Sequence, residues 1–103
     1  MGLCLLLHAL GGGFPPVAGV RVLADKDTVV VGDVVLTMHQ TPGHTPGGTT
    51  WAWRACEAQD CVDIVYADSL TAVSAPGFRY SDAKNGAGRV EEFGASIDKV
   101  AAL

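Results

Sequence analysis

The chain has 103 residues, 49% of them hydrophobic and 17% charged, and a net charge of −4. That length and balance make one globular domain at most, long enough to bury a core. Its seven Lys and Arg residues are scattered and the pI is near 5.1, so nothing marks a nucleic-acid partner.

The apolar run from Leu3 to Leu10 is far short of the ~20 residues that span a bilayer, so no membrane partner is expected. As a signal-peptide core it lacks a preceding Lys or Arg, and Gly11-Gly12-Gly13 is a poor cleavage site. Residues 1–13, His8 among them, are read as an apolar leader set apart from a domain over 14–103. Phe14-Pro15-Pro16 is an extended entry, because paired prolines exclude helix. Val20 to Leu23 is a short strand candidate. Asp25-Lys26-Asp27 then turns the chain into the β-branched run Thr28 to Val31. Gly32-Asp33 separates that run from Val34 to His39. Two β-rich segments joined by two residues with Gly first predict a hairpin with a type II′ turn. Along its second arm Val34, Leu36 and Met38 share one face, and Val35, Thr37 and His39 share the other. His39 is expected to be a partly exposed strand histidine rather than a metal ligand.

Six of the eight residues in Thr41-Pro42-Gly43-His44-Thr45-Pro46-Gly47-Gly48 shape backbone, and they enclose one imidazole between two apolar runs. Proline fixes its own φ and pushes the residue before it towards an extended conformation, while glycine allows close backbone approach. His44 is therefore placed on a stiff loop at a strand end, where neutral imidazole is a common zinc ligand. A proline-glycine turn with an incidental histidine is the alternative from composition alone.

Thr49 to Ala55 alternates large and small residues and reads as a strand, with Trp51 and Trp53 on one side. Their rings suit either substrate stacking or packing of the sheet against a helix, and the second is expected. Cys56 to Cys61 is a polar turn bracketed by thiols, and Val62 to Tyr66 is the return strand. Cysteines at the base of a hairpin come within disulfide range, and a bridge over so short a loop adds about 2 kcal/mol through loop entropy. It would imply an oxidising compartment, two free thiols a reducing one. A structural zinc site wants four ligands, and Cys4 is the only other cysteine. From Asp68 to Gly88 no period is sustained, which predicts a long loop that Phe78 and Tyr80 hold against the body. A helix is predicted over Arg89 to Ala102, with Val90, Phe93, Ile97 and Val100 on its apolar face and Glu91 and Glu92 in the first turn.

The loop around His44 resembles the second metal-binding motif of the metallo-β-lactamase superfamily, Thr-x-Gly-His-Thr-x-Gly. The run from Tyr66 to Phe78, with Ala67-Asp68-Ser69-Leu70 at its start, resembles the segment that follows in the third subclass of class B β-lactamases. The two runs stand at the expected separation, and the resemblance extends from about Phe14 to Leu103. The superfamily's His-x-His-x-Asp-His motif is nowhere in the sequence.

The resemblance implies an α/β (α+β) fold: half of an αββα sandwich, mostly antiparallel sheet with one C-terminal helix, its N-terminal half missing. It implies zinc as the cofactor and a β-lactam (penicillin, cephalosporin or carbapenem) as the substrate. In the family two zinc ions hold a hydroxide that opens the lactam ring, zinc bringing the pKa of bound water to about 7. Three histidines bind one ion, and an Asp and two His bind the other. His44 matches the third histidine of the first ion and is the one ligand the motif carries across. Ser69 and Thr71 resemble positions near the second zinc and the substrate carboxylate, and are taken as substrate-binding. Asp68 lies one position from the place where other members put a metal-bridging Asp. The expectation is a fragment of an antibiotic-resistance hydrolase, periplasmic or secreted when intact and inactive alone. One alternative is a glyoxalase-II-like thioester hydrolase of the same superfamily, which usually has Asp where this chain has Ser69. The other is a non-enzymatic, degenerate remnant.

Overall fold

The computed structural model describes residues 15–68, 70–82, 84 and 88–103. The leader expected over residues 1–13 and the entry residue Phe14 lie outside them. Four strands follow one another, β1 (Thr28–Val31), β2 (Val34–Gln40), β3 (Thr49–Glu57) and β4 (Asp60–Tyr66), and a helix, α1 (Arg89–Ala101), closes the chain. Each strand pairs antiparallel with its predecessor, giving the sheet order β1-β2-β3-β4. This is the antiparallel sheet with one C-terminal helix that the sequence predicts.

The first hairpin follows from its turn chemistry. Val31 pairs with Val34, and Gly32 takes φ 62° while Asp33 keeps a negative φ. Positive φ at the first central position alone is the type II′ signature. The second hairpin is tighter than the sequence suggests, because β3 and β4 stay paired as far as Glu57 and Asp60. Only Ala58 and Gln59 are left to turn, and Ala58 takes φ 54°. The polar stretch from Cys56 to Cys61 carries no hydrophobic alternation, but a strand end in solvent still satisfies its backbone by pairing. Cys56 and Cys61 lie directly opposite each other with Cα atoms 4.0 Å apart, and are joined by a disulfide.

Val20 to Leu23 is not a strand. β1 forms the sheet edge, and the preceding segment runs irregularly beside it, tied by Arg21 Nη2 donating to the Thr28 carbonyl at 3.2 Å. Extended propensity without a ladder partner does not make a strand.

The register sends Val29, Leu36, Met38, Trp51, Trp53, Ile64 and Tyr66 to one face of the sheet. Among the described hydrophobic residues only Met38 is buried, while Val30, Val35, Val62 and Tyr66 are at least half exposed. The length suffices for a core, yet these elements do not enclose one. Trp51 and Trp53 do not pack against the helix; with Val29, Leu36 and Tyr66 they line an open depression of about 420 Å³ built from strands alone.

The helix docks instead on the chain leaving β2. Its Ser96, 3% exposed, donates its hydroxyl to the Pro42 carbonyl. Lys99 Nζ reaches Asp25 Oδ1 at 2.8 Å and the Gln40 carbonyl at 3.0 Å. The docked line therefore runs through half-buried Phe93, buried Ser96 and half-buried Val100, and Val90 and Ile97 of the predicted apolar face stay 52% and 46% exposed. His39 is likewise buried rather than partly exposed. It lies where Asp25, Gln40 and Lys99 converge at the end of β2, covered by chain that strand alternation does not register.

Candidate functional site

Past the last pair of β2 and β3, Gln40 with Thr49, the chain closes a neck before it opens into the His44 loop. Thr41 N–H donates to the Gly48 carbonyl at 2.9 Å, and the hydroxyls of Thr41 and fully buried Thr50 bond to each other at 2.9 Å. Inside the loop Gly43 N–H and Gly48 N–H both donate to the Thr45 carbonyl. Two of its glycines are tightly enclosed. A β-carbon at Gly48 would stand 2.3 Å from the Thr41 carbonyl oxygen, and one at Gly43 would stand 2.6 Å from the Phe93 ring. Side chains are thus excluded on both sides of the histidine.

His44 is partly buried. Its Nδ1 lies 2.9 Å from the carbonyl oxygen of Thr71, five residues beyond the end of β4. A carbonyl only accepts, so Nδ1 carries the hydrogen, and in the neutral ring the lone pair is left on Nε2. The Tyr80 hydroxyl stands 3.4 Å from the same Nδ1 and donates to the Val73 carbonyl at 3.0 Å. The Tyr80 ring meets Phe78 edge-on at 5.2 Å and Phe93 at 6.1 Å. Loop, long connection and helix thus meet at one aromatic cluster.

Of the residues singled out in the sequence, the structure brings His44 and Thr71 together, through the Thr71 backbone; the Thr71 side chain is exposed. Ser69 lies outside the described residues. Asp68 is partly buried just past β4. Sequence reasoning missed the hydrogen bonds of Tyr80, and Ser96 altogether. Aromatic composition places Tyr80 against the body, but no local signal says which carbonyl its hydroxyl meets.

A catalytic zinc takes three protein ligands and a water, and among the described residues no group of three His, Cys, Asp or Glu converges. One oriented imidazole does not make a zinc site, so these residues alone do not fit the metal.

No protein-family model matches the chain. Solved structures do. MEM-A1, from a soil metagenome library, is 44% identical with a TM-score of 0.78 over 86% of this chain and 34% of its own. MEM-A1 is a subclass B3 metallo-β-lactamase. SMB-1, crystallised with mercaptoacetic acid, is 46% identical, with a TM-score of 0.77 over 87% of this chain and 34% of its own. MIM-1 from Novosphingobium pentaromativorans is 43% identical, with a TM-score of 0.75 over 88% of this chain and 33% of its own. The chain spans about a third of the length of these B3 structures. Identity above 40% along most of this chain makes the likeness to these structures one of sequence as well as fold.

Proposed function

We propose that this chain is part of a B3-type zinc hydrolase that opens the β-lactam ring of penicillins, cephalosporins or carbapenems, and that it is inactive by itself. The observation that carries the reading is the imidazole of the motif loop, held with Nδ1 on the Thr71 carbonyl so that Nε2 is the nitrogen left to bind. Identities of 43–46% to B3 enzymes support it. The described residues bring one ligand where a catalytic zinc needs three. Zinc chemistry belongs to the complete ligand set, and no reaction step is assigned to this chain. The exposed Thr71 side chain is compatible with a hydroxyl directed at the substrate carboxylate, a part proposed for Ser69 as well. The Cys56–Cys61 disulfide supports a periplasmic or secreted location for the whole protein, since such bridges persist in oxidising compartments.

Two measurements test the reading. Purified chain with added zinc is expected to turn over nitrocefin no faster than a His44→Ala variant; His44-dependent hydrolysis would overturn the inactivity. The reading frame flanking this sequence in the genome is expected to encode His-x-His-x-Asp-His upstream. A continuous frame without that motif would overturn the assignment to a zinc β-lactamase.

A further inference from the structure

We propose that Tyr80 is a positioning residue for His44: by anchoring the Thr71 to Val73 backbone it holds the imidazole as the Nδ1–H tautomer and leaves the lone pair on Nε2. The use of that nitrogen rests on the ligand reading above; the tautomer and its cause do not.

The inference follows from counting hydrogens. The Tyr80 hydroxyl has one to give, and its shortest acceptor is the Val73 carbonyl at 3.0 Å; the His44 carbonyl is farther, at 3.5 Å. With that hydrogen committed, the phenol oxygen turns lone pairs towards Nδ1 at 3.4 Å. The other atom facing Nδ1, the Thr71 carbonyl oxygen at 2.9 Å, also only accepts. Both neighbours are therefore acceptors, and a bare Nδ1 would face two oxygens without a hydrogen between them. Unmet polar contact of that kind costs more than a satisfied hydrogen bond contributes.

Thr71 and Val73 belong to no strand or helix. No sheet ladder sets where the Thr71 carbonyl points, which leaves the anchor two residues away to do so. Tyr80 suits that part because its ring is wedged edge-on between Phe78 and Phe93. The hydroxyl is carried on a rigid arm from the helix-facing cluster to the histidine. Sequence places Tyr80 36 residues from His44, so the contact exists only in the folded chain.

The test is the tautomer itself, read without metal. Long-range 1H–15N correlation spectra of the full chain at about pH 8, where an ordinary imidazole is neutral, distinguish a protonated from an unprotonated Nδ1. The His44 signals are those lost in His44→Ala. Wild type is expected to show Nδ1–H as the dominant form. Tyr80→Phe keeps the ring packing and removes the anchor, and is expected to lower the Nδ1–H to Nε2–H ratio about fivefold, the worth of one hydrogen bond. Thr71→Ala keeps the carbonyl and should leave the ratio unchanged. A wild-type His44 with the tautomer mixture of free imidazole overturns the proposal, as does a Tyr80→Phe ratio equal to wild type or a Thr71→Ala ratio that falls as far. If Tyr80→Phe loses its folded spectrum, Tyr80→3-fluorotyrosine, which retains ring and hydroxyl, is expected to keep the wild-type ratio, and a collapse of the ratio there overturns the proposal. None of these results bears on nitrocefin turnover or on the flanking frame, so this inference and the hydrolase reading fail separately.

Discussion

Gly48 shows how little freedom the His44 loop has at the scale of a single residue. Its carbonyl accepts from Thr41 N–H, while the Thr41 carbonyl stands where a Gly48 β-carbon would go. Relieving that clash means opening the neck that holds the loop. Gly48→Ala is therefore expected to cost about 1–3 kcal/mol, the usual range for forcing atoms into filled space. In a domain of this size that lowers Tm by roughly 4–8 °C per kcal/mol, measurable by thermal unfolding. An unchanged Tm would mean that the neck is looser than it stands here. The proline and glycine content of this loop makes its stiffness legible in the sequence, and the motif names His44. Which glycine is enclosed is not legible, because the enclosing atoms belong to Thr41 on the far side of the neck and to Phe93 on the helix.

At the scale of elements, α1 is held by polar contacts more than by its apolar stripe. Ser96 is buried and its hydroxyl donates to the Pro42 carbonyl; Ser96→Ala is expected to lose about 1 kcal/mol, the net worth of such a bond. Gly94 on the same helix has open space around its α-carbon. Gly94→Ala is expected to stabilise by about 0.5–1 kcal/mol, because it removes backbone entropy without meeting any atom. The pair makes one urea-denaturation experiment with opposite signs two residues apart on one helix. Asp25 links the helix to β2. The hydrogen bond from Lys99, then that from Gln40 N–H, hold its carboxyl below the ordinary value of 3.8. A lowered folded pKa means stability present above the unfolded pKa and lost as pH falls through the folded one. Wild type is thus expected to exceed Asp25→Asn by less than about 1 kcal/mol at neutral pH, since the pair is part-exposed. The gap should close below the ordinary carboxylate range; a gap that widens in acid would contradict the assignment.

For the whole molecule, the decisive fact is how much apolar surface stays open. One hydrophobic side chain is buried among the described residues, and the face carrying Trp51, Trp53 and Tyr66 is uncovered. Exposed apolar area of this kind marks an interaction surface or an aggregation hazard, and β1 and β4 add two strand edges. The isolated chain is expected to enhance ANS fluorescence and to elute at a size that rises with concentration. A concentration-independent monomer that leaves ANS dark would contradict this. The disulfide sits at the other end of β3 from the His44 loop, roughly 20 Å away at strand rise. Cys56→Ser with Cys61→Ser is expected to cost about 2 kcal/mol while leaving the His44 tautomer signals in place.

The sequence by itself determined the four strands, the Gly32 turn, the stiffness of the loop around His44 and the existence of the terminal helix. These rest on side-chain alternation, β-branching and φ restrictions, all of which act within a few residues of one another. Tertiary structure alone decided that Thr71 orients His44 across 27 residues, that Tyr80 reaches it across 36 and that Ser96 faces Pro42 across 54. It also decided the phase of α1 and the burial of His39. Those contacts depend on the path of the irregular connection after β4, which has no period to read, and on which surfaces happen to be covered when the chain closes. A hydrogen bond between distant loops leaves no local trace, because its partners are chosen by position in space rather than by neighbours in sequence.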